Sequence, residues 1–388
     1  GEKPPVQQLA DKISAIFVPT VIGIAVVAFI INFILLDAFT PALMRSIAIL
    51  VIACPCAMGL ATPAAIAVGL GRAARNGILF RNAKSLELFK NIRQVVFDKT
   101  GTLTTGQFEI AGFSITDQHT NEDEFKRIAY SLEKYSGHPL AKCIAMNWKR
   151  NDDIRWSQIE EIKGIGMRAT SKEGETYIAG SYKIAAHLTN DESHNIYIIK
   201  NNTLIGWIDL QDQLRPEAKE VIDFLNRRNI KTILLSGDRK HKCETVAKQL
   251  YISEVLAEQT PEQKLQQLET LTKAMPTAMV GDGINDAPAL AKATIGISLS
   301  EASQVAMQTA DVVLMNHGLK NLPQALGLGK HTFITIKENL FWAFGYNIVA
   351  IPVAAFGLLT PTFGALVMGL SDVVLAINSV RLFVKKVV

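Results

Sequence analysis

The sequence is short of several things that would send a reading elsewhere. Only four cysteines occur in 388 residues, too few and too unevenly spread for a disulfide framework. Cys54 and Cys56 lie in an apolar run, while Cys143 and Cys243 stand alone in polar surroundings and read as structural. Reduced, cytosolic chemistry is the default for such usage. The net charge is only +4, so no nucleic-acid partner is expected. There is no Gly-rich loop ending in Lys-Ser/Thr, which argues against a P-loop enzyme. The chain opens Gly1-Glu2-Lys3-Pro4-Pro5, with no initiator Met and no signal peptide. Internal repeats and low-complexity tracts are lacking too.

What the chain has in plenty is apolar residues, 48% of the total, gathered at its two ends. Residues 9–14 are expected along a membrane surface. Residues 16–36 are almost uncharged, and about twenty residues at 1.5 Å each cross a hydrocarbon core of roughly 30 Å. After the tight turn at 37–41, a second apolar segment, 43–70, is interrupted by Pro55 and Pro63 and empties into Arg72, Arg75, Arg81 and Lys84. That cluster marks the cytoplasmic side. Two more spans are expected at 340–359 and 363–382, before Arg381, Lys385 and Lys386.

Between these ends lies a soluble, mixed-charge block. Strand-like runs at 95–97, 232–235 and 278–280 each end in an acidic loop, with helical patterns between, as expected of a parallel sheet with helices on both faces. From 106 to 209 the pattern changes to a helix followed by short alternating strands, read as a second domain inserted into the first.

The acidic loops carry the chemistry. Val95-Val96-Phe97 gives out into Asp98-Lys99-Thr100-Gly101-Thr102, Ile233-Leu234-Leu235 into Ser236-Gly237-Asp238, and Met279-Val280 into Gly281-Asp282-Gly283-Ile284-Asn285-Asp286. Ligands of open α/β sheets bind at that edge, and a carboxylate there can attack phosphorus. Phosphoryl transfer also needs magnesium and cations. Asp98, Asp282 and the Thr100 carbonyl suit magnesium, which takes hard oxygen ligands. Lys264 is the best cation for the phosphate, and Ser236 a hydroxyl donor. Within the insertion, Glu133, Ser136-Gly137-His138-Pro139 and Gly164-Ile165-Gly166 stand out. In the second span, Cys54-Pro55-Cys56 places two thiols around a proline that frees a helical carbonyl, and thiolates select soft or borderline metals.

These motifs together resemble the heavy-metal-transporting P-type ATPases. The pentapeptide at Asp98 is similar to their phosphorylation motif, and the three loops to their haloacid-dehalogenase-like phosphorylation domain. There Ser236 replaces the more usual Thr, and Lys99, Gly237, Asp238 and Asp286 join the catalytic set. The resemblance implies an α-helical transmembrane bundle plus this α/β domain, with an inserted α+β nucleotide-binding domain. Two spans with Cys-Pro-Cys would occupy 1–71, the phosphorylation domain 72–105 and 210–335, the nucleotide-binding domain 106–209, and two spans 336–388. Glu133, His138, Pro139, Gly164 and Gly166 would hold ATP. Cys54, Cys56, Tyr346, Asn347 and Met368 match the copper(I)-exporting type, whose Met-x-x-Ser-Ser reads here Met368-Gly369-Leu370-Ser371-Asp372. A hard Asp372 oxygen suits zinc or cadmium better, which keeps a Zn(II)/Cd(II) exporter as an alternative. Thr100, where related phosphatases carry a second acid, disfavours a membrane-tethered phosphatase, and a non-catalytic metal-binding membrane protein would leave the acidic loops unexplained.

The implied cofactors are ATP and Mg2+, with Cu+ as the transported ion. The implied setting is a bilayer, the bacterial inner membrane, with the soluble domains cytoplasmic and a metal-donor protein as a further partner. No Thr-Gly-Glu occurs, so the actuator domain and its preceding spans are expected on another stretch or chain, with this chain the C-terminal part of a pump.

Overall fold

The computed structural model describes residues 5–53, 56–281, 286–299, 308–315 and 318–388. Cys54, Pro55 and Asp282 lie outside them. The chain divides into two compact units, residues 1–102 with 216–388, and residues 103–215.

In the first unit a seven-stranded sheet runs Ile78–Phe80, Val312–Leu314, Ile295–Leu299, Thr277–Gly281, Gln94–Asp98, Lys231–Leu235, Glu254–Leu256. All neighbours are parallel except the edge pair Ile78–Phe80 and Val312–Leu314. The central strands are buried from end to end, which is why they read as unbroken apolar runs rather than alternating ones. Val96, Ile233, Leu235, Met279 and Leu290 form the core beside the Asp98 strand. Leu268 joins them from the helix Pro261–Ala274, whose start is set by a capping box: Thr260 accepts from the Gln263 amide, and Gln263 returns the bond.

The apolar ends form long helices. Pro5–Leu36 is a single helix of 32 residues, so the expected surface segment 9–14 is its first part, since nothing there breaks helix propagation. The second apolar segment is two helices, Phe39–Ile52 and Cys56–Arg75. Leu322–Ala355 is one helix of 34 residues, and Pro361–Arg381 follows. Among the described residues, Ala10–Leu36 and Pro361–Arg381 are long and apolar enough to cross a membrane. The other two expected spans do not meet that test, for physical reasons. One is divided between the helices Phe39–Ile52 and Cys56–Arg75, and the other lies in a helix whose polar residues, Lys330, His331, Lys337, Glu338 and Asn339 among them, interrupt its apolar ones.

A buried amide ties three of these helices together. Asn339 Nδ2 donates to the Ala61 carbonyl and to Ser379 Oγ, each at 3.0 Å, and Asn378 Nδ2 donates to Asn339 Oδ1 at 2.8 Å. Such bonds hold helices in an apolar medium, where area burial cannot. Arg72 donates to the carbonyls of Leu382 and Lys385 beyond the last helix.

The second unit is a six-stranded antiparallel sheet in the order Thr104–Ile115, Thr203–Leu214, Ile196–Lys200, Thr176–Gly180, Gly166–Ser171, Trp156–Ile162. The helices Glu122–Glu133 and Pro139–Asn147 pack on it through Phe125, Ile128, Leu132 and Ile144 against Ile198 and Ile208.

Candidate active site

Asp98 ends its strand in register with Leu235, and the chain turns at once. Thr100 stays extended (φ −73°, ψ 123°) while Gly101 takes φ 75°, a conformation that glycine adopts without steric cost. The Asp98 carboxylate is thereby held at the sheet edge but covered, at 7% exposure. Lys264, in the first turn of its capped helix, brings its Nζ to 3.3 Å from Asp98 Oδ1 and 3.6 Å from Asp286 Oδ1. Asp286 opens the helix Ala287–Lys292 and is itself buried. One cation thus serves two acids. Burial, reinforced by the charge of Asp286, pushes the Asp98 carboxyl well above the usual range against the pull of Lys264. Burial draws Lys264 down, but the two carboxylates outweigh it and hold the ammonium above its ordinary value.

The Ser236 loop meets the Asp98 loop through a second pair, Lys99 Nζ to Asp238 Oδ2 at 2.5 Å. Ser236 is buried, and its Oγ accepts from the Asp238 amide at 3.1 Å. Gly237 passes close under Gln259, whose carbonyl oxygen would lie 3.2 Å from an added Cβ. Thr100 is exposed on the turn, and Thr102 buries a hydroxyl with no partner among the described residues. Asp282 falls outside the described residues. The fit to magnesium rests on chemistry: Asp98 and Asp286 present hard carboxylate oxygens side by side, and a divalent cation with oxygen ligands would favour the ionised form of both.

In the second unit, Glu133, His138, Gly164 and Gly166 line one cavity of about 210 Å3. His138 caps the helix Pro139–Asn147, its Nδ1 accepting from the Leu140 amide at 3.2 Å, with Pro139 in the first turn. Gly164 turns at φ 73°, whereas Gly166 and Gly180 sit where backbones meet. A Cβ on Gly166 would lie 2.0 Å from the Ala179 carbonyl oxygen, and one on Gly180 2.4 Å from that of Ile165. Glu161, Gly180, Ser181 and Asn195 also line the cavity; sequence reasoning missed them. The small-residue run Ala179-Gly180-Ser181 closing a strand was the available signal for two of them. Glu133 is 3% exposed, and burial, with the Glu161 charge next, raises its carboxyl to about 8. Ser136 Oγ donates to Glu161 Oε1 at 3.0 Å.

Of the residues expected on the ion path, Cys54 lies outside the described residues and Cys56 begins its helix. Tyr346 Oη, Asn347 Oδ1 and Asp372 Oδ1 are each buried with no hydrogen-bond partner among the described residues, although Asn347 Nδ2 donates to the Ala343 carbonyl at 3.0 Å. Met368 is half-buried one turn before Asp372. A buried acceptor left unpaired costs about 1–3 kcal/mol. Among the described residues no group of three His, Cys, Asp or Glu side chains is placed to hold a metal.

Comparison with known proteins agrees with this geometry. The model of the haloacid dehalogenase-like hydrolases matches residues 92–294. A copper-exporting P-type ATPase of Staphylococcus epidermidis is 39% identical over 406 residues, covering 98% of this chain and 50% of its own length. One from Staphylococcus aureus is 40% identical over 403 residues, covering 98% and 49%. The chain therefore spans about half the length of the curated relatives it matches. Among solved structures, a zinc-transporting PIB-type ATPase in the E2.Pi state has a TM-score of 0.84 at 30% identity, covering 96% of this chain and 63% of that one. The catalytic domain of the CPx-ATPase CopB-B gives 0.54 at 28%, covering 67% and 98%. With its long apolar helices, this kinship makes the chain an integral membrane protein. Its matched residues enclose Asp98, Lys264 and Asp286, and the chain belongs to the haloacid dehalogenase-like hydrolases, in their P-type ATPase branch.

Proposed function

We propose that the chain carries the phosphorylation, nucleotide-binding and ion-path parts of an ATP-driven exporter of a heavy-metal cation, Cu(I) foremost. The observation that carries the reading is the buried Asp98 at a parallel-strand end, sharing Lys264 with Asp286. ATP occupies the cavity of the inserted unit, with Glu133, His138, Gly164 and Gly166 around it and Pro139 setting the start of the helix behind His138. An Asp98 carboxylate oxygen attacks the γ-phosphorus, the bond to the β-bridging oxygen breaks, and ADP leaves an aspartyl-phosphate behind. Lys264 balances the charge of the incoming phosphoryl group and of Asp98, so that the carboxyl can ionise despite its burial. Ser236 donates its hydroxyl to a phosphoryl oxygen, while the Lys99–Asp238 pair fixes the Asp98 and Ser236 loops together. Asp98, Asp282 and the Thr100 carbonyl would hold Mg2+, which spreads the charge of the transferred group. Thr100 cannot act as an acid–base group in water attack, so the phosphoenzyme lasts.

The ion would be taken by Cys54, Cys56 and Met368, three soft ligands suited to Cu(I), with Tyr346 and Asn347 beside them. A Zn(II)/Cd(II) exporter is the second reading, favoured by Asp372 and by the likeness to a zinc-transporting structure. In the proposed organisation, residues 72–105 with 210–335 are the phosphorylation domain, 106–209 the nucleotide-binding domain, and both lie in the cytoplasm of a bacterium, at its inner membrane. Completion of the cycle needs an actuator region from another stretch or chain, and a metal-donor protein would deliver the ion. The test is labelling with γ-radiolabelled ATP. An acid-stable, hydroxylamine-sensitive adduct should form on the wild type and vanish in Asp98→Asn. Full labelling of that variant would remove Asp98 as the nucleophile.

A further inference from the structure

The helix Phe39–Ile52 holds one charged residue, Arg45, and its surroundings are unusual. Its Nη1 donates to Asn32 Oδ1 at 2.6 Å. Asn32, 6% exposed, in turn donates from Nδ2 to the carbonyls of Ala28 at 2.8 Å and Ala355 at 3.2 Å. Gly357, at φ 78°, lets the turn after Ala355 pass against the guanidinium: an added Cβ would lie 2.3 Å from Arg45 Nε. No carboxylate among the described residues pairs with Arg45, whose charge is met only by a neutral amide. A guanidinium offers five N–H donors, and one is used.

Beside Arg45 runs a groove of about 640 Å3, lined by Thr20, Ile24, Val27, Ile31, Leu35 and Phe356. It is apolar along its length. Thr20 turns its hydroxyl back onto the Ile16 carbonyl at 2.8 Å, which leaves Arg45 and Asn32 as the polar end. From Thr20 to Leu35 the helix rises about 22 Å, a distance suited to an extended acyl chain. A cation without a counter-ion is costly in the bilayer and calls for a partner. Phosphate accepts from guanidinium in strong, charge-assisted bonds, so the missing counter-charge and the apolar trough complement the two ends of one molecule.

We propose that Arg45 and this groove bind one anionic phospholipid, its phosphate on the guanidinium and an acyl chain along Thr20 to Leu35. The lipid would join the helix Pro5–Leu36 to the turn after Leu322–Ala355.

Native mass spectrometry of the whole chain in detergent tests this, after incubation with equimolar phosphatidylglycerol and phosphatidylcholine of identical acyl chains. The wild type should retain one phosphatidylglycerol, roughly tenfold over phosphatidylcholine, the factor expected of a charge-assisted bond. Arg45→Gln, which keeps a donor for Asn32, should abolish that preference. Asn32→Asp, which supplies an internal counter-ion, should abolish it too, while Arg45→Lys should keep most of it. Circular dichroism with unchanged helical content shows that each variant is folded. Wild type without a preference, or Arg45→Gln with the preference intact, overturns the proposal. So does a groove that retains no lipid because a protein segment fills it.

Discussion

Glu133 offers a prediction whose size can be worked out. Its carboxyl is buried and held at about 8, against an ordinary value near 4.3 in an unfolded chain. The folded state therefore prefers the protonated acid. Stability linked to this group is fully present below the unfolded value and is lost as pH rises toward 8, because folding must then either take up a proton or bury an ionised carboxylate. At 1.36 kcal/mol per unit, the loss across that window is about 5 kcal/mol. Glu133→Gln is a neutral isostere of the protonated form and should remove the dependence, leaving the variant the more stable protein above pH 8. Three of the four tryptophans, Trp148, Trp156 and Trp207, lie in the same unit, so denaturant unfolding followed by their fluorescence between pH 5 and 9 reads the effect where it arises. Parallel stability profiles for wild type and Glu133→Gln would refute the buried-acid account.

Other expectations follow from the same geometry. Lys264→Ala leaves Asp98 and Asp286 facing each other without their cation, so phosphoenzyme formation should fall by at least about tenfold and its pH optimum should move upward; an unchanged pH profile in rapid-quench labelling would contradict this. Gly166→Val forces a side chain onto the Ala179 carbonyl and should weaken ATP binding by about tenfold or more, which calorimetry on the whole chain will measure against a loss of stability of roughly 1–3 kcal/mol. Asp372→Ser should leave Cu(I) binding intact while lowering any zinc or cadmium stimulation of ATP turnover, because divalent ions gain more from a charged oxygen; an unaltered metal order at equal protein recovery would take Asp372 out of the ion path.

Much of the fold is written in local pattern. The β-branched run before Asp98 is enough to place a buried strand there, since an unbroken apolar run in a parallel sheet reports cover on both faces. Thr260 and Gln263 announce the start of the helix that carries Lys264 by a capping signal four residues wide. Pro55 predicts the break between Ile52 and Cys56, because it has no amide to give the helix. The length of Leu322–Ala355 was less legible: the span expected at 340–359 is only the later part of it, although nothing in the sequence stops one helix from starting at Leu322.

What only the tertiary structure decided is which groups share an environment. Asp98, Lys264 and Asp286 are separated by long stretches of chain, and their common charge balance exists only once the strands Gln94–Asp98 and Thr277–Gly281 lie side by side. Gly166 is plain as a glycine but needs Gly180 across the ladder to explain why no side chain fits. Glu133 stands out in the sequence, but its raised carboxyl, and the part Glu161 plays in it, follow only from burial. Arg45 reads as a stray charge until Asn32 and Gly357 close around it. Periodicity, capping and turn chemistry act over a few residues and so survive in sequence order. Desolvation and charge coupling sum over neighbours from every packed element, and those neighbours are assigned only when the chain has folded.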